Sequence, residues 1–326
     1  MAEALFLACM VEGNASMTKW LLSIALVLII AGIALGFAAR WEIVGTLNVL
    51  DRFTSGPAGT RIAEAVPYGR DPIQAVDIYT PAAATPQASA APLPVVIWFH
   101  GGGWNNGGRP QYAFAGRAFS GQGFVTVVAG YRLDEEGKFP NFMEDAAAAI
   151  AWTHANIARY GGDPDRIVLA GHSAGGHIVT LAGLDESWLG DLARPNGAIK
   201  GVIGIAGAYD WLPFTPGSSS DKYLGHTRPL SRTQPVTYVR ADAPPMLLLW
   251  GDADTLVFRR NIVSLTAAQT AAGGQVQSKI YPGIDHSEIV MALSRPFRGK
   301  APVLADAVAF ARRVTSEQPE LPANAP

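Results

Sequence analysis

The chain has 326 residues, about half of them apolar, with 25 Lys and Arg against 27 Asp and Glu. This composition and length describe a folded chain with a full hydrophobic core, not a disordered one, and the near-zero net charge offers no basic footprint for a nucleic acid. The single cysteine, Cys9, excludes an intramolecular disulfide, and without zinc-type Cys/His spacing, a P-loop or a dinucleotide glycine fingerprint, neither a metal nor a cofactor is expected.

Between Lys19 and Arg40 the run WLLSIALVLIIAGIALGFAA carries no charge. A helix of that length spans a bilayer core of ~30 Å. A membrane anchor, a cleaved signal ending at Ala38-Ala39 and a buried helix all fit the run, and its length favours the anchor. The expectation is therefore residues 1–40 as a transmembrane anchor or signal segment. The membrane becomes a partner through that helix, and the rest of the chain is extracytoplasmic, or secreted or periplasmic if the segment is cleaved. Met17-Thr18-Lys19 offers an alternative start to Met1. Residues 41–61 read as a juxtamembrane linker holding a helix over Trp41–Ser55, broken by Gly56-Pro57-Ala58-Gly59.

From residue 62 to 316 a strand–helix pattern repeats. Ile62–Tyr68 and Ala75–Tyr79 read as early strands, and the uncharged Ala/Pro-rich stretch Pro81–Pro94 as a surface loop. Val95–Phe99 is an apolar, β-branched strand, Gln111–Gly121 a helix and Phe124–Ala129 a strand. Asn141–Tyr160 is a helix with Asn141 as candidate N-cap, stopped by Gly161-Gly162-Asp163-Pro164. Ile167–Ala170 is a strand and Ala174–Leu184 a helix. Val202–Ile205, Met246–Trp250 and Val276–Tyr281 are strands, with helices over Phe258–Ala272 and Pro302–Val314. The alternation predicts an α/β fold with a mostly parallel central sheet of about eight strands and helices on both faces. Residues 317–326 are expected to form a disordered tail. In such sheets the chemistry lies just after the strands.

Three strand ends carry it. After Ala170 comes Gly171-His172-Ser173-Ala174-Gly175, a G-x-S-x-G turn between strand and helix, the signature of the nucleophile in the α/β-hydrolase fold. After Phe99 comes His100-Gly101-Gly102-Gly103-Trp104. Its glycines let backbone N–H groups close around a developing oxyanion, so Gly102 and Gly103 are the candidate donors, with the Ala174 N–H as partner. After Trp250 come two carboxylates, Asp252 and Asp254, and after Tyr281 comes His286. The order Ser, Asp, His suits an α/β-hydrolase, with Ser173 as nucleophile, His286 as general base and an aspartate orienting the imidazole. Asp252 follows Gly251 directly and suits a turn role; Asp254 lies further along the loop. Of the six histidines, only His286 follows the last strand. His100 is expected as a hydrogen-bonder in its loop, His172 and His177 as packing near the nucleophile and His154 on a polar helix face. His226 lies in a loop, within reach of a substrate.

His100–Trp104, Tyr131-Arg132-Leu133 with Phe139-Pro140, and Gly171–Gly176 resemble the hormone-sensitive-lipase-like esterases and the H-G-G-G-W acetyl and feruloyl esterases. The arylformamidase group is similar in its H-G-G-x-W loop. The resemblance implies an α/β-hydrolase acting on a small-molecule carboxylic ester without a cofactor. It assigns the acid to Asp254, through the spacing Gly251, Asp254, Val257. The large N-terminal helical cap of many lipase-like members has no counterpart, which argues for short acyl chains. Cover comes instead from the insertion between Ala208 and Ala243, with Trp211, Phe214, Tyr223 and Leu224 as possible pocket lining. Trp104, Trp211 and Phe214 are the candidate substrate-binding residues. An amidase, arylformamidase or peptidase would use the same triad. An inactive membrane-tethered binding protein would lack at least one of its members.

Overall fold

The uncharged β-branched runs form one sheet, because each must pair its backbone with a neighbour while burying both faces. In the computed structural model, residues 20, 23, 24, 32, 43–54, 56, 58–82 and 91–316 are described. The chain divides into two units, Met1–Thr46 and Leu47–Pro326. Within the first, the described residues 20, 23, 24, 32 and 43–46 are all helical.

The second unit holds the sheet. Its strands are β1 (Gly59–Pro67), β2 (Ala75–Pro81), β3 (Leu93–Phe99), β4 (Val125–Ala129), β5 (Gly162–His172), β6 (Ile199–Ile205), β7 (Met246–Gly251) and β8 (Val276–Tyr281). Their spatial order is β1-β2-β4-β3-β5-β6-β7-β8. β1 and β2 are antiparallel to their neighbours, and every pairing from β4 to β8 is parallel. The winding direction reverses between β3 and β5, so the crevice outside their carboxyl ends is where a ligand site belongs. The central strands are dry: Val95 to Phe99 and Ile167 to Ala170 are wholly buried. The edge strand β8 is exposed over Gln277–Ile280, which explains its polar Gln-Ser-Lys centre.

The helices are α1 (Ile43–Phe53), α2 (Ala113–Ser120), α3 (Asn141–Asn156), α4 (Ala174–Leu184), α5 (Glu186–Leu189), α6 (Ser219–Leu224), α7 (Arg260–Ala271), α8 (His286–Met291) and α9 (Val303–Thr315). Asn141 is the first residue of α3 and not its cap: Pro140 occupies the cap position, while the Asn141 amide donates to the Glu136 carbonyl at 2.8 Å. β5 begins five residues earlier than its apolar run suggests, because pairing of Gly162 with Leu93 carries the strand through Asp163-Pro164. The Pro81–Pro94 loop lies, over residues 83–90, outside the described residues, as does the C-terminal tail from residue 317.

Among the described residues no helix is long and apolar enough to cross a membrane. The longest, α3, has 16 residues and rises about 24 Å at ~1.5 Å per residue, short of a ~30 Å hydrocarbon core. This corrects three expectations: the transmembrane helix, the membrane as partner and the membrane-anchored location. The run Trp20–Ala39 itself, apart from Trp20, Ser23, Ile24 and Gly32, lies outside the described residues. The carboxyl half of α1 belongs to the second unit and is tied there by polar groups. Asp51, 2 % exposed, accepts hydrogen bonds from Arg117 Nε at 2.7 Å and from the Arg295 backbone N–H at 2.9 Å. Burial alone would raise the Asp51 carboxyl; the Arg295 amide and the Arg117 guanidinium outweigh it and hold the group below its ordinary value.

Candidate active site

β5 ends at His172, and α4 begins at Ala174. The single residue between them, Ser173, takes φ 56° and ψ −117°, a conformation that L-residues with a Cβ rarely adopt. The surroundings hold it there. Its N–H donates to the Ile205 carbonyl at 2.9 Å, and its carbonyl accepts from the His177 N–H at 3.0 Å. The turn closes only because Gly175 lacks a side chain: a Cβ there would overlap the Phe99 carbonyl. The strain lifts the Ser173 hydroxyl clear of the sheet end.

β8 ends at Tyr281, and His286 opens α8. A capping box sets that start: Asp285 accepts from the backbone of Ser287 and Glu288 while Glu288 reaches back to the Asp285 N–H. The His286 ring then lies between two partners. The Ser173 hydroxyl donates to its Nε2 at 2.9 Å, and its Nδ1 donates to Asp254 Oδ2 at 2.7 Å. Asp254 is 6 % exposed, and its other oxygen accepts from the backbone N–H groups of Leu256 and Val257, each at 2.8 Å. It caps no helix, since α7 starts at Arg260. Asp252 is exposed and accepts instead from the Gly283 N–H at 2.6 Å, joining the β7 and β8 loops. Sequence positions 173, 254 and 286 are thus brought into one hydrogen-bonded line, and position 252 is not part of it.

The glycine loop after β3 passes beside this line. A Cβ added at Gly101 would come within 3.2 Å of Ser173 Cβ. Gly102, Gly103 and Trp104 follow at φ 124°, 59° and 62°, turning the backbone sharply enough that the Gly102 carbonyl accepts from both Asn105 and Asn106. Among the described residues, the N–H groups of Gly102, Gly103 and Ala174 meet no acceptor in the protein. Backbone donors are rarely left in that condition unless they serve a ligand or water. Behind the loop, the Tyr131 hydroxyl donates to the His100 carbonyl at 2.8 Å, with the two rings stacked at 4.3 Å. His100 Nδ1 donates to the Gly101 carbonyl at 2.8 Å. Burial pushes the His100 imidazole down to about 4, so it stays neutral. Trp104 is 5 % exposed and sits edge-on to His177 at 5.3 Å.

The remaining candidates fall in two groups. Trp211 and Phe214 are half-buried in the 208–243 insertion, with Trp211 6.5 Å from the exposed Phe258. Tyr223 and Leu224 are buried on α6, where the Tyr223 hydroxyl donates to Asp134 at 2.6 Å. His177 and His226 donate to the carbonyls of Thr233 and Phe139. Two supporting roles escaped the sequence reading. One is that of Tyr131 beneath the glycine loop, a residue the family resemblance includes and that lies two positions after the end of β4. The other is that of His172, whose Nε2 donates to the His286 carbonyl at 2.9 Å.

Comparison with known proteins gives a consistent picture. The BD-FAE family profile matches residues 76–268, more than half of the chain. Esterase LipC of Mycobacterium tuberculosis is 32 % identical over 210 residues, covering 58 % of this chain and 50 % of that protein. A probable isoprenylcysteine alpha-carbonyl methylesterase of Oryza sativa is 28 % identical over 261 residues, covering 74 % and 60 %. The chain spans between half and three fifths of the length of these curated relatives. Among solved structures, esterase B from Lactobacillus rhamnosis superposes with a TM-score of 0.70 at 22 % identity, covering 88 % of this chain and 96 % of that one. A carbohydrate esterase from gut microbiota superposes at 0.67 and 20 % identity, covering 80 % and 98 %. These two likenesses establish the α/β-hydrolase fold.

Proposed function

The chain belongs to the BD-FAE family, and from that premise we propose that it is a serine hydrolase cleaving carboxylic esters, with Ser173, His286 and Asp254 as its triad. The observation that carries the reading is the unbroken line Ser173 Oγ, His286 Nε2, His286 Nδ1, Asp254 Oδ2, with links of 2.9 and 2.7 Å. His286 Nε2 takes the hydroxyl proton as Ser173 Oγ attacks the acyl carbon. The carbonyl oxygen becomes an oxyanion received by the N–H groups of Gly102, Gly103 and Ala174. The imidazolium gives its proton to the departing alkoxide. A water then attacks the acyl-enzyme, with His286 as base again, and releases the acid. Asp254 fixes the Nδ1–H tautomer and stabilises the cation; its second oxygen, occupied by two backbone amides, keeps it from turning away.

We assign the catalytic domain to residues 62–316 and the natural substrates to short acyl esters, in the manner of the H-G-G-G-W esterases. Two features support the chain-length assignment. Tyr223 and Leu224 are buried, with Tyr223 bonded to Asp134 and Phe139, and of the four aromatic and aliphatic candidates in the insertion Trp211 and Phe214 are the two left partly free to meet an acyl group. Purified protein should hydrolyse p-nitrophenyl acetate and butyrate with higher kcat/KM than the palmitate, and anilides or N-formylkynurenine poorly. A fluorophosphonate probe should label the wild type and leave Ser173→Ala unlabelled. Labelling of Ser173→Ala at the wild-type rate would remove Ser173 as nucleophile, and a maximum on long-chain esters would overturn the substrate assignment.

A further inference from the structure

His172 has no part in the relay, yet it lies beside the nucleophile, the base and the glycine loop. It ends β5, immediately before Ser173. Its Nε2 donates to the backbone carbonyl of His286 at 2.9 Å, across 114 positions of sequence. Its Nδ1 faces the glycine loop: a Cβ added at Gly101 would stand 3.0 Å from that nitrogen. Its ring lies 4.7 Å from the His286 ring, tilted by 42°. A carbonyl can only accept, so Nε2 carries the hydrogen.

We propose that His172 is a positioning residue whose Nε2–H clamps the backbone of the base His286, setting its ring against Ser173. The inference rests on the triad reading above. The need for such a clamp follows from the geometry. His286 is the first residue of a six-residue helix whose capping box is local to Asp285 and Glu288 and does not tie the helix to the strand that carries Ser173. The relay tolerates little displacement, since a shift of ~1 Å in a reacting group can cost about a hundredfold in rate. Asp254 restrains the ring of His286 from one side, but no side chain of the acid loop holds its backbone. His172 does so from the nucleophile's own strand, so one rigid element sets both Ser173 and the base. Neutrality matters because a second cation 4.7 Å away would oppose the imidazolium that His286 becomes. Burial first, and the neighbouring His286 second, push the His172 imidazole well below its ordinary range.

A residue that merely fills space would be replaced by leucine with a change in stability and none in turnover. A clamp needs a donor at the right reach. Glutamine places an N–H near the position of Nε2, whereas asparagine falls short of it. The test measures kcat, KM and melting temperature for His172→Leu, His172→Gln and His172→Asn on p-nitrophenyl acetate, with the rate of fluorophosphonate labelling at Ser173. Expected are a fall in kcat of about 10- to 100-fold for Leu and Asn, KM within about twofold, slower labelling, and substantial recovery in Gln. Equal kcat in Gln and Asn, or a Leu variant turning over like the wild type while Ser173→Ala is dead, would overturn the clamp and leave the triad standing. A Ser173→Ala variant with wild-type turnover would remove the triad reading and the clamp with it.

Discussion

Two aspartates share the loop after β7, and their environments differ sharply. Asp254 is buried, with both oxygens engaged, one by His286 and one by two amides. Asp252 is exposed and holds one amide of the next loop. Asp254→Asn replaces the acceptor facing Nδ1–H with a group that can present a donor, so the imidazole is driven to the wrong tautomer. The comparable change in the trypsin triad lowers kcat by ~10⁴, and a loss of at least 10³-fold in kcat is expected here, with a fold that circular dichroism finds intact. Asp252→Asn should keep kcat within about threefold and lower stability by ~1 kcal/mol, the usual net worth of one hydrogen bond. A dead Asp252→Asn beside a near-active Asp254→Asn would reverse the assignment. Residues of this kind are legible in the sequence because each follows a strand, where the fold puts its chemistry. His172 is not, because its partner is a backbone carbonyl 114 positions away and no spacing rule connects them. Trp104 reads from its motif as a candidate substrate contact; in the structure it is nearly buried and meets His177 edge-on.

The parallel strands announce themselves through continuous apolar runs, and the helices that cross between them through their lengths. The short elements do not. α5, α6 and α8 have 4, 6 and 6 residues, too few for a 3.6-residue period to register, and α6 and α8 exist through side-chain caps from Ser218 and Asp285. β1 has the opposite difficulty: its exposure alternates irregularly across bulges opposite β2, so its start at Gly59 is hidden. Helix α1 is legible as a helix, but its attachment is not. Four polar ties, Asn48 to Pro110 and Arg117, and Asp51 to Arg117 and Arg295, fix its carboxyl half within the Leu47–Pro326 unit. Removing one member of a buried ion pair strands the other. Asp51→Ala is therefore expected to lower unfolding free energy by about 3 kcal/mol, read by urea denaturation, with kcat on p-nitrophenyl acetate unchanged because the relay lies elsewhere. An undiminished midpoint would mean that Arg117 and Arg295 find solvent without cost.

At the scale of the whole molecule, the sheet's reversal point gathers three histidines that the fold keeps neutral. His100 ends the β3 side, His172 ends β5 and His177 sits one turn into α4; all are 5 % exposed or less. Burial pushes His100 and His177 down to about 4 and His172 well below its ordinary value. Unfolding returns each to ~6.5. Between those limits the unfolded chain binds more protons than the folded one, so stability rises with pH across the window. The contribution is complete above about pH 6.5 and is lost as pH falls toward 4, the reverse of what a histidine gaining a carboxylate partner would give. At pH 4.5 the shifts of His100 and His177 each correspond to about 2 to 3 kcal/mol, a large share of the ~5–15 kcal/mol that holds a domain together. The melting temperature should accordingly drop by on the order of 10 °C between pH 7.5 and pH 4.5. The fall should begin near pH 6.5 instead of near the carboxylate range. His177→Asn removes one of the three titrations while preserving a polar side chain, so its melting temperature should start lower at pH 7.5 and fall less steeply below pH 6.5. A wild-type curve that stays flat from pH 7.5 to 4.5, or a His177→Asn slope equal to the wild type, would show that these rings are hydrated in the folded protein and that the reversal point is not the dry core its packing implies.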